Sequence, residues 1–224
     1  MNASTSLMSL SFAHCRKIAY LGMIGITYGL GLNPILRELN INHCWLCADD
    51  AARLAKASEK NSTIDRLDVS WNNICDDGVA SLSFSLAGRN STLTFLNISS
   101  NNFGASGAAS LAKCLFANYG MKHIELKHNA ICDYGATELA SAIRANSTLE
   151  KLNISDTDIG DAGADAIGKI LMISQGMRIV WVAENPRIGT TGIESLRRAA
   201  RENSSLDGIH FDHDHDIEQE QKCF

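Results

Sequence analysis

The chain has 224 residues, 45% of them hydrophobic, and carries 25 acidic against 20 basic side chains. A net charge of −5 excludes a nucleic-acid binder built on a basic stripe, and the length suits one or two globular domains. Only two prolines occur (Pro34 and Pro186), and no long run of Gly, Ser or charge precedes the tail, so one continuous domain is expected.

The first apolar phrase, Leu7-Leu10-Phe12, is the weakest. Behind Arg16-Lys17 comes an uncharged stretch, Ile18 to Leu32, that superficially resembles a signal peptide or a membrane span. It is short of the roughly 20 residues a span needs, and its glycines weaken a membrane helix. It also falls where the repeat described next calls for a helix, and no membrane role is expected.

The turn Asn146-Ser147-Thr148 followed by Leu149-x-x-Leu152-x-Ile154 defines a phrase that recurs along the chain. It returns at Leu36-Leu39-Ile41, Ile64-Leu67-Val69, Leu93-Leu96-Ile98, Met121-Ile124-Leu126, Met177-Val180-Val182 and Leu206-Ile209-Phe211. The closing positions are 12, 41, 69, 98, 126, 154, 182 and 211, an almost constant step of about 28–29 residues. Three residues after each comes Asn or a surrogate: Cys15, Cys44, Asn72, Asn101, Asn129, Thr157, Asn185 and Asp214. An apolar residue follows at Leu46, Ile74, Phe103, Ile131, Ile159 and Ile188.

Next comes a helix-start residue near a glycine, as in Asp76/Gly78, Asp133/Gly135, Asp161/Gly163 and Thr190/Gly192. Such a side chain is expected to accept hydrogen bonds from the free N–H groups of its own first helical turn. Apolar residues then recur at helical spacing, as in Val79, Leu82, Leu86 and Ala136, Leu139, Ile143. Each unit therefore reads as a short strand, a loop and a helix, with consecutive strands parallel and the helices outside.

The pattern L-x-x-L-x-L-x-x-N/C-x-I-x-D-x-G-A-x-x-L-A resembles the ribonuclease-inhibitor-like class of leucine-rich repeats. NOD-like receptor repeat domains and Ran GTPase-activating proteins share that class. The resemblance runs from about Leu7 to Asp214. It implies a right-handed α/β solenoid, a horseshoe with a parallel sheet on the concave face and helices on the convex face. Residues 1–214 then form the repeat domain, with a degenerate first repeat, and 215–224 a short polar, acidic tail. The class works mostly through partner binding, and fold alone gives function only by analogy.

The repeat absorbs most residues that look chemical. The aligned asparagines are expected to turn inward and bond loop backbone. N-x-S/T sequons start at Asn61, Asn90, Asn146 and Asn203, with others at Asn2, Asn97 and Asn153. The main four sit between a helix and the next strand, where Asn suits a left-handed C-cap, so they read as structural and not as glycan acceptors. Seven cysteines and no secretory signal indicate free thiols and a cytoplasmic, reducing compartment. Cys44-x-x-Cys47 is half of a zinc ligand set, so it reads as two loop thiols rather than a metal site. A Cys47–Cys75 bridge between neighbouring coils is the alternative. In the tail, His213 and His215 share a face of an extended segment, a spacing that suits a divalent metal; the plainer reading is a solvated polar segment. No nucleotide-binding, zinc-protease or nucleophile motif is present, so the chain reads as a non-enzyme without cofactor, metal or small-molecule substrate.

Side chains alternate across a strand, which puts the residues between the core leucines on the concave face. These are Glu38/Asn40/Asn42, Arg66/Asp68/Ser70, Phe95/Asn97/Ser99, His123/Glu125/Lys127, Lys151/Asn153/Ser155, Ile179/Trp181/Ala183 and His210/Asp212. Phe95 and Trp181 are expected to be exposed anchors, with charge supplied by Arg66, Asp68, His123, Glu125, Lys127 and Lys151. Trp45 and Trp71 are placed at the rim. Flanking side chains that cover the rings, and pairs such as Glu38 with Arg66, would reduce what is free to bind. The expected function is a protein-interaction module or scaffold with a protein partner. Regulation of a GTPase, and a fragment of a NOD-like sensor, are the alternatives carried by the resemblance.

Overall fold

The computed structural model describes residues 7–16, 18, 20–87, 92–211 and 217–218. Seven strand–helix pairs follow one another along it. Strands β1 (Ser9–Ser11), β2 (Glu38–Asn40), β3 (Arg66–Asp68), β4 (Phe95–Asn97), β5 (His123–Glu125), β6 (Lys151–Asn153) and β7 (Ile179–Trp181) alternate with helices. The helices are α1 (Tyr20–Leu32), α2 (Ala48–Ser58), α3 (Cys75–Leu86), α4 (Ala105–Leu115), α5 (Cys132–Ala145), α6 (Asp161–Leu171) and α7 (Thr190–Glu202). Strand β8 (Gly208–His210) begins a further unit, and β9 (Ile217–Glu218) ends the described chain.

All strands lie in one sheet in sequence order, with β1 to β8 parallel. A right-handed α/β solenoid follows from this connectivity, each helix crossing over the sheet to return to a parallel strand. Strand β9 pairs antiparallel to β8, so part of the segment read as a polar tail adds to the sheet.

The apolar repeat positions form one core. Leu39, Leu67, Leu96, Ile124, Leu152, Val180 and Ile209 are buried in a column, and the loop residues Leu46, Ile74, Phe103, Ile131 and Ile159 stack beside them. Truncating such a leucine to alanine costs about 2–5 kcal/mol in a well-packed core. The first coil is looser: Leu10, Phe12, Ile18 and Ile26 are only partly buried, and Leu7 is exposed. Among the described residues no helix is long and apolar enough to cross a membrane.

The asparagine ladder forms as the repeat implies. Asn72 Oδ1 accepts from the N–H groups of Cys44 and Leu46 in the preceding coil, both at 2.9 Å, while its Nδ2 donates to Ile41 O and Val69 O. Asn101, Asn129 and Asn185 repeat the arrangement, and Thr157 donates to Ile154 O at 2.6 Å. Cys44 takes the position in the second coil, its thiol donating to Phe12 O and Asn42 O. Cys15 is exposed and does not join the ladder.

A second amide ladder lies at the helix-to-strand turns. Asn146 Nδ2 donates to Leu115 O and Asn118 O, and its Oδ1 accepts from Thr148 N and Leu149 N. Asn61, Asn118 and Asn203 do the same job in their coils, and all three are buried. The left-handed cap expected here is not adopted: none of Asn61, Asn146 and Asn203 has a positive φ. An extended backbone lets the amide reach both coils, which a left-handed residue would not. Asn118 begins no sequon, so the position demands Asn for its hydrogen bonds. Asn2, Asn90 and Asp214 lie outside the described residues, as do Asp212, His213, His215 and Asp216.

The helix-start carboxylates also act differently from the expectation. Asp76 Oδ1 accepts from Gly104 N and Gly107 N, both at 2.8 Å; Asp133 Oδ1 from Gly160 N and Gly163 N; Asp161 Oδ1 from Gly189 N and Gly192 N. Each aspartate caps the helix of the following coil, not its own. Thr190 starts α7, the last helix described, so it has no following helix to cap.

Candidate functional site: the concave face and its rim

The strand register places the predicted concave residues in two columns. Glu38, Arg66, Phe95, His123, Lys151, Ile179 and Gly208 are successive partners in one. Asn40, Asp68, Asn97, Glu125, Asn153, Trp181 and His210 form the other. The alternation of a strand keeps both on the side away from the core leucines.

Phe95 and Trp181 are half-buried, not fully exposed, and the covering groups are other rings and a cation. The Arg66 guanidinium lies 4.1 Å from the Phe95 ring centroid and also faces Glu38 at 3.6 Å. The His123 ring meets Phe95 edge-on at 5.0 Å and stacks on Trp181 at 6.0 Å. His210 stacks on the far side of Trp181 at 5.5 Å. Phe95, His123, Trp181 and His210 thus make a diagonal line of rings that begins in the first column and finishes in the second. His123 and His210 were not recognised in the sequence as parts of an aromatic line. The only signal there is their register beside the larger rings.

The charges around this line are partly paired. Glu125 Oε1 contacts His123 Nε2 at 2.6 Å, and Lys127 donates to Glu184 at 2.8 Å. Asp68 is held by Ser70 Oγ at 2.6 Å and by Asn97 Nδ2 at 3.3 Å. Lys151 has no ion-pair partner among the described residues, which leaves an ammonium group beside the rings for an incoming carboxylate. At the β2–β4 end a hollow of about 260 Å³ is lined by Glu38, Asn40, Arg66, Asp68 and Phe95.

The rim has its own periodicity. The third residue after each of β1 to β7 is left-handed: His14, His43, Trp71, Ser100, His128, Asp156 and Glu184, with φ between 49° and 61°. A non-glycine residue in that region costs roughly 1–2 kcal/mol. The cost is offset because the bent residues from His14 to Asp156 still donate their N–H groups to the next coil, as His43 does to Ser70 O and Trp71 to Ser99 O, at 2.9–3.0 Å. Side chains at this position therefore project together along the rim. His14, His43, Trp71 and His128 form a chain of rings with centroids 4.8, 6.1 and 6.0 Å apart. Desolvation, with the neighbouring Arg16 and His14 charges, holds the His43 pKa below its ordinary value. Trp71 and Trp45 are both exposed, as a rim position implies.

The six described cysteines are free thiols, Cys47 and Cys75 among them. Burial pushes the Cys114 thiol up to about 12 and raises Cys44 as well.

With eight parallel strands in register and their asparagine ladder in place, the fold can be set beside known proteins. The model of the family described as "Leucine Rich repeat" matches residues 60–83, 89–112 and 145–168. The chain thus carries leucine-rich repeats. Its solenoid is similar to the C-terminal domain of tropomodulin from Caenorhabditis elegans, with a TM-score of 0.55 at 10% identity over 64% of this chain and 86% of that one. It is also similar to a solved structure of "Leiomodin-1 Actin-Binding Site 2 (ABS2)", with a TM-score of 0.51 at 18% identity, over 58% of this chain and 76% of that one. At such identities the likeness is one of fold. A search of curated proteins found no match.

Proposed function

We propose that this leucine-rich-repeat protein is a non-enzymatic interaction module, and that it grips a protein partner on its concave face. The observation that supports this most is the ring line Phe95–His123–Trp181–His210. Four half-buried rings in contact give a rigid surface whose remaining area is removed from water only when something docks. Aromatic anchors ringed by charge are what protein interfaces select, and Arg66, Lys151, Glu125, Asp68 and Lys127 supply that ring. Trp71 and Trp45 extend the surface to the rim.

Exposed free thiols at Cys15 and Cys47 fit a reducing compartment, which supports a cytoplasmic location. The similar leiomodin structure is named as an actin-binding site, which makes monomeric actin the first defined partner to try. The GTPase-regulating and sensor-fragment readings rest on the sequence resemblance alone.

The test is affinity capture from native lysate, with purified actin monomers as a separate arm. Wild-type chain is compared with the concave charge reversal Glu125→Lys/Lys127→Glu and with Phe84→Ala on a helix. Loss of a captured protein with the reversal, and retention with Phe84→Ala, is the expected result. Equal capture by all three chains contradicts the concave assignment.

A further inference from the structure

The left-handed rim column changes character at its fifth rung. His128, Asp156 and Glu184 occupy equivalent positions in three successive coils, with φ values of 58°, 49° and 56°. Each side chain offers one ligand atom, and the three atoms lie within 4.8 Å of one another. Coils at one register position are spaced by the strand separation of about 4.8 Å, so the outer two backbones stand about twice that apart. The lengths of the side chains compensate: the short Asp156 is in the middle, and the longer His128 and Glu184 reach toward it from either side. His128 Nδ1 already touches Asp156 Oδ2.

We propose that His128, Asp156 and Glu184 form a binding site for a borderline divalent cation of the zinc or cobalt type. One imidazole nitrogen and two carboxylate oxygens are a donor set that such ions accept, at about 2.0–2.2 Å from the metal. Ligand atoms around one ion then stand about 3 Å apart, a small adjustment for side chains at a solvent-facing rim. Three protein ligands leave at least one coordination position open to water or to a group from outside. Two of the three ligands, His128 and Asp156, line a hollow of about 610 Å³ that Asp76 and Asp158 also line. Its carboxylates favour an approaching cation. Among the described residues two cations lie nearby, and one of them competes with the ion. Lys127 Nζ holds Glu184 at 2.8 Å, and Arg187 is engaged by Asp158 at 3.2 Å. Of these only Lys127 occupies a ligand, so it acts as the built-in competitor. Because each ligand comes from a different coil, no local motif announces the set in the sequence.

The test uses the full chain carrying His213→Ala/His215→Ala, which removes the tail imidazoles as alternative ligands, and Co²⁺ as the probe. Cobalt absorption reports the donor set, Zn²⁺ competition reports affinity, and quenching of Trp71, whose ring lies 6.0 Å from that of His128, reports location. The expected result is one saturable site per chain with the spectrum of nitrogen and oxygen donors. Affinity should fall at least 10-fold in His128→Ala, Asp156→Asn and Glu184→Gln, and rise in Lys127→Met. Trp71→Phe should remove the quenching and leave the affinity unchanged. Affinity unaltered by the three ligand substitutions overturns the proposal, as does a thiolate-to-cobalt band or the absence of saturable binding. Circular dichroism and the melting temperature of each variant establish that a lost site is not a lost fold.

Discussion

The Asp133 carboxylate in one coil accepts hydrogen bonds from Gly160 N at 2.7 Å and Gly163 N at 2.9 Å in the next. It thereby satisfies two of the free donors at the start of α6 and places negative charge at the positive end of that helix. Asp76 and Asp161 do the same for α4 and α7. Where this position is alanine, as at Ala48 and Ala105, the following helix begins with Cys75 or Cys132 in the left-handed region (φ 52° and 57°). Their N–H groups then donate forward, to Asn101 O and Thr157 O, instead of back to a carboxylate. Two solutions to the same capping problem serve the stack, the left-handed start at α3 and α5 and the carboxylate at α4, α6 and α7, and each is written in the preceding coil.

Removing one of these carboxylates should therefore destabilise the helix of the next coil. Asp133→Ala is expected to cost about 1–2 kcal/mol in urea unfolding, the range for a lost N-cap. Asp133→Asn, which keeps an acceptor oxygen, should cost less. Asp77→Ala, whose side chain caps no following helix, should change stability by under about 0.5 kcal/mol. Equal effects at positions 77 and 133 would count against the inter-coil cap.

The glycines opposite the carboxylates are there for room. A Cβ on Gly163 would stand 2.8 Å from Asp133 Oδ1, 2.8 Å from Ile159 Cγ2 and 3.0 Å from Ala136 Cβ. Gly163→Ala should destabilise by about 1–3 kcal/mol through overpacking, despite alanine's better helix propensity. In α1 the same change at Gly25 meets nothing within 4 Å, and should be neutral or stabilising by up to about 1 kcal/mol. Thermal unfolding of the two variants checks the opposite signs.

Asn129 lies in the ladder and Asn153 on the concave face, so the two separate structural from surface amides. Asn129→Ala strands Leu126 O and Asn101 N in the interior, while Ile98 O keeps its bond from Asn101 Nδ2, and should cost at least about 2 kcal/mol. The Asn153 side chain accepts from Ser155 N at 3.0 Å, and Asn153→Ala should cost under about 1 kcal/mol. Denaturant midpoints at unchanged slope provide the comparison.

The thiols should label in order of their environment. Cys15 and Cys47 are exposed and should react first with a maleimide at neutral pH. Cys114 is buried and its pKa is pushed up to about 12, so the reactive thiolate is scarce at every pH below that value. It should label only as fast as the protein unfolds. Peptide mapping by mass spectrometry distinguishes the sites, and rapid native labelling of Cys114 would contradict the packing of α4.

Much of this architecture was legible in the residues. The L-x-x-L-x-L phrase fixes strand phase because a one-residue slip would expose every core leucine, and the observed pairs Leu67↔Leu96 and Ile124↔Leu152 follow that phase. The concave columns follow from the same alternation. What escaped depends on contacts between coils. The caps made by Asp76, Asp133 and Asp161 each join one coil to the next, although the pairing of Asp in one repeat with Gly in the next, and of Ala with Cys, was a readable signal. The second amide ladder was obscured by the sequon pattern around Asn61 and Asn146. The ring line crosses diagonally from Phe95 to His210, and only side-chain reach, which sequence does not carry, brings His123 against Trp181.

The most direct test of the concave-face account sets affinity against stability in Trp181→Ala and Phe95→Ala, using the protein recovered by capture, or actin if it binds. Each substitution is expected to weaken binding by about 30-fold, the effect of losing an anchor of about 2 kcal/mol. Because both rings are only half-buried, the melting temperature should fall by no more than about 4 °C. Unchanged affinity, or a loss of binding matched by a collapse in stability, would show that the rings serve the fold and that the partner binds elsewhere.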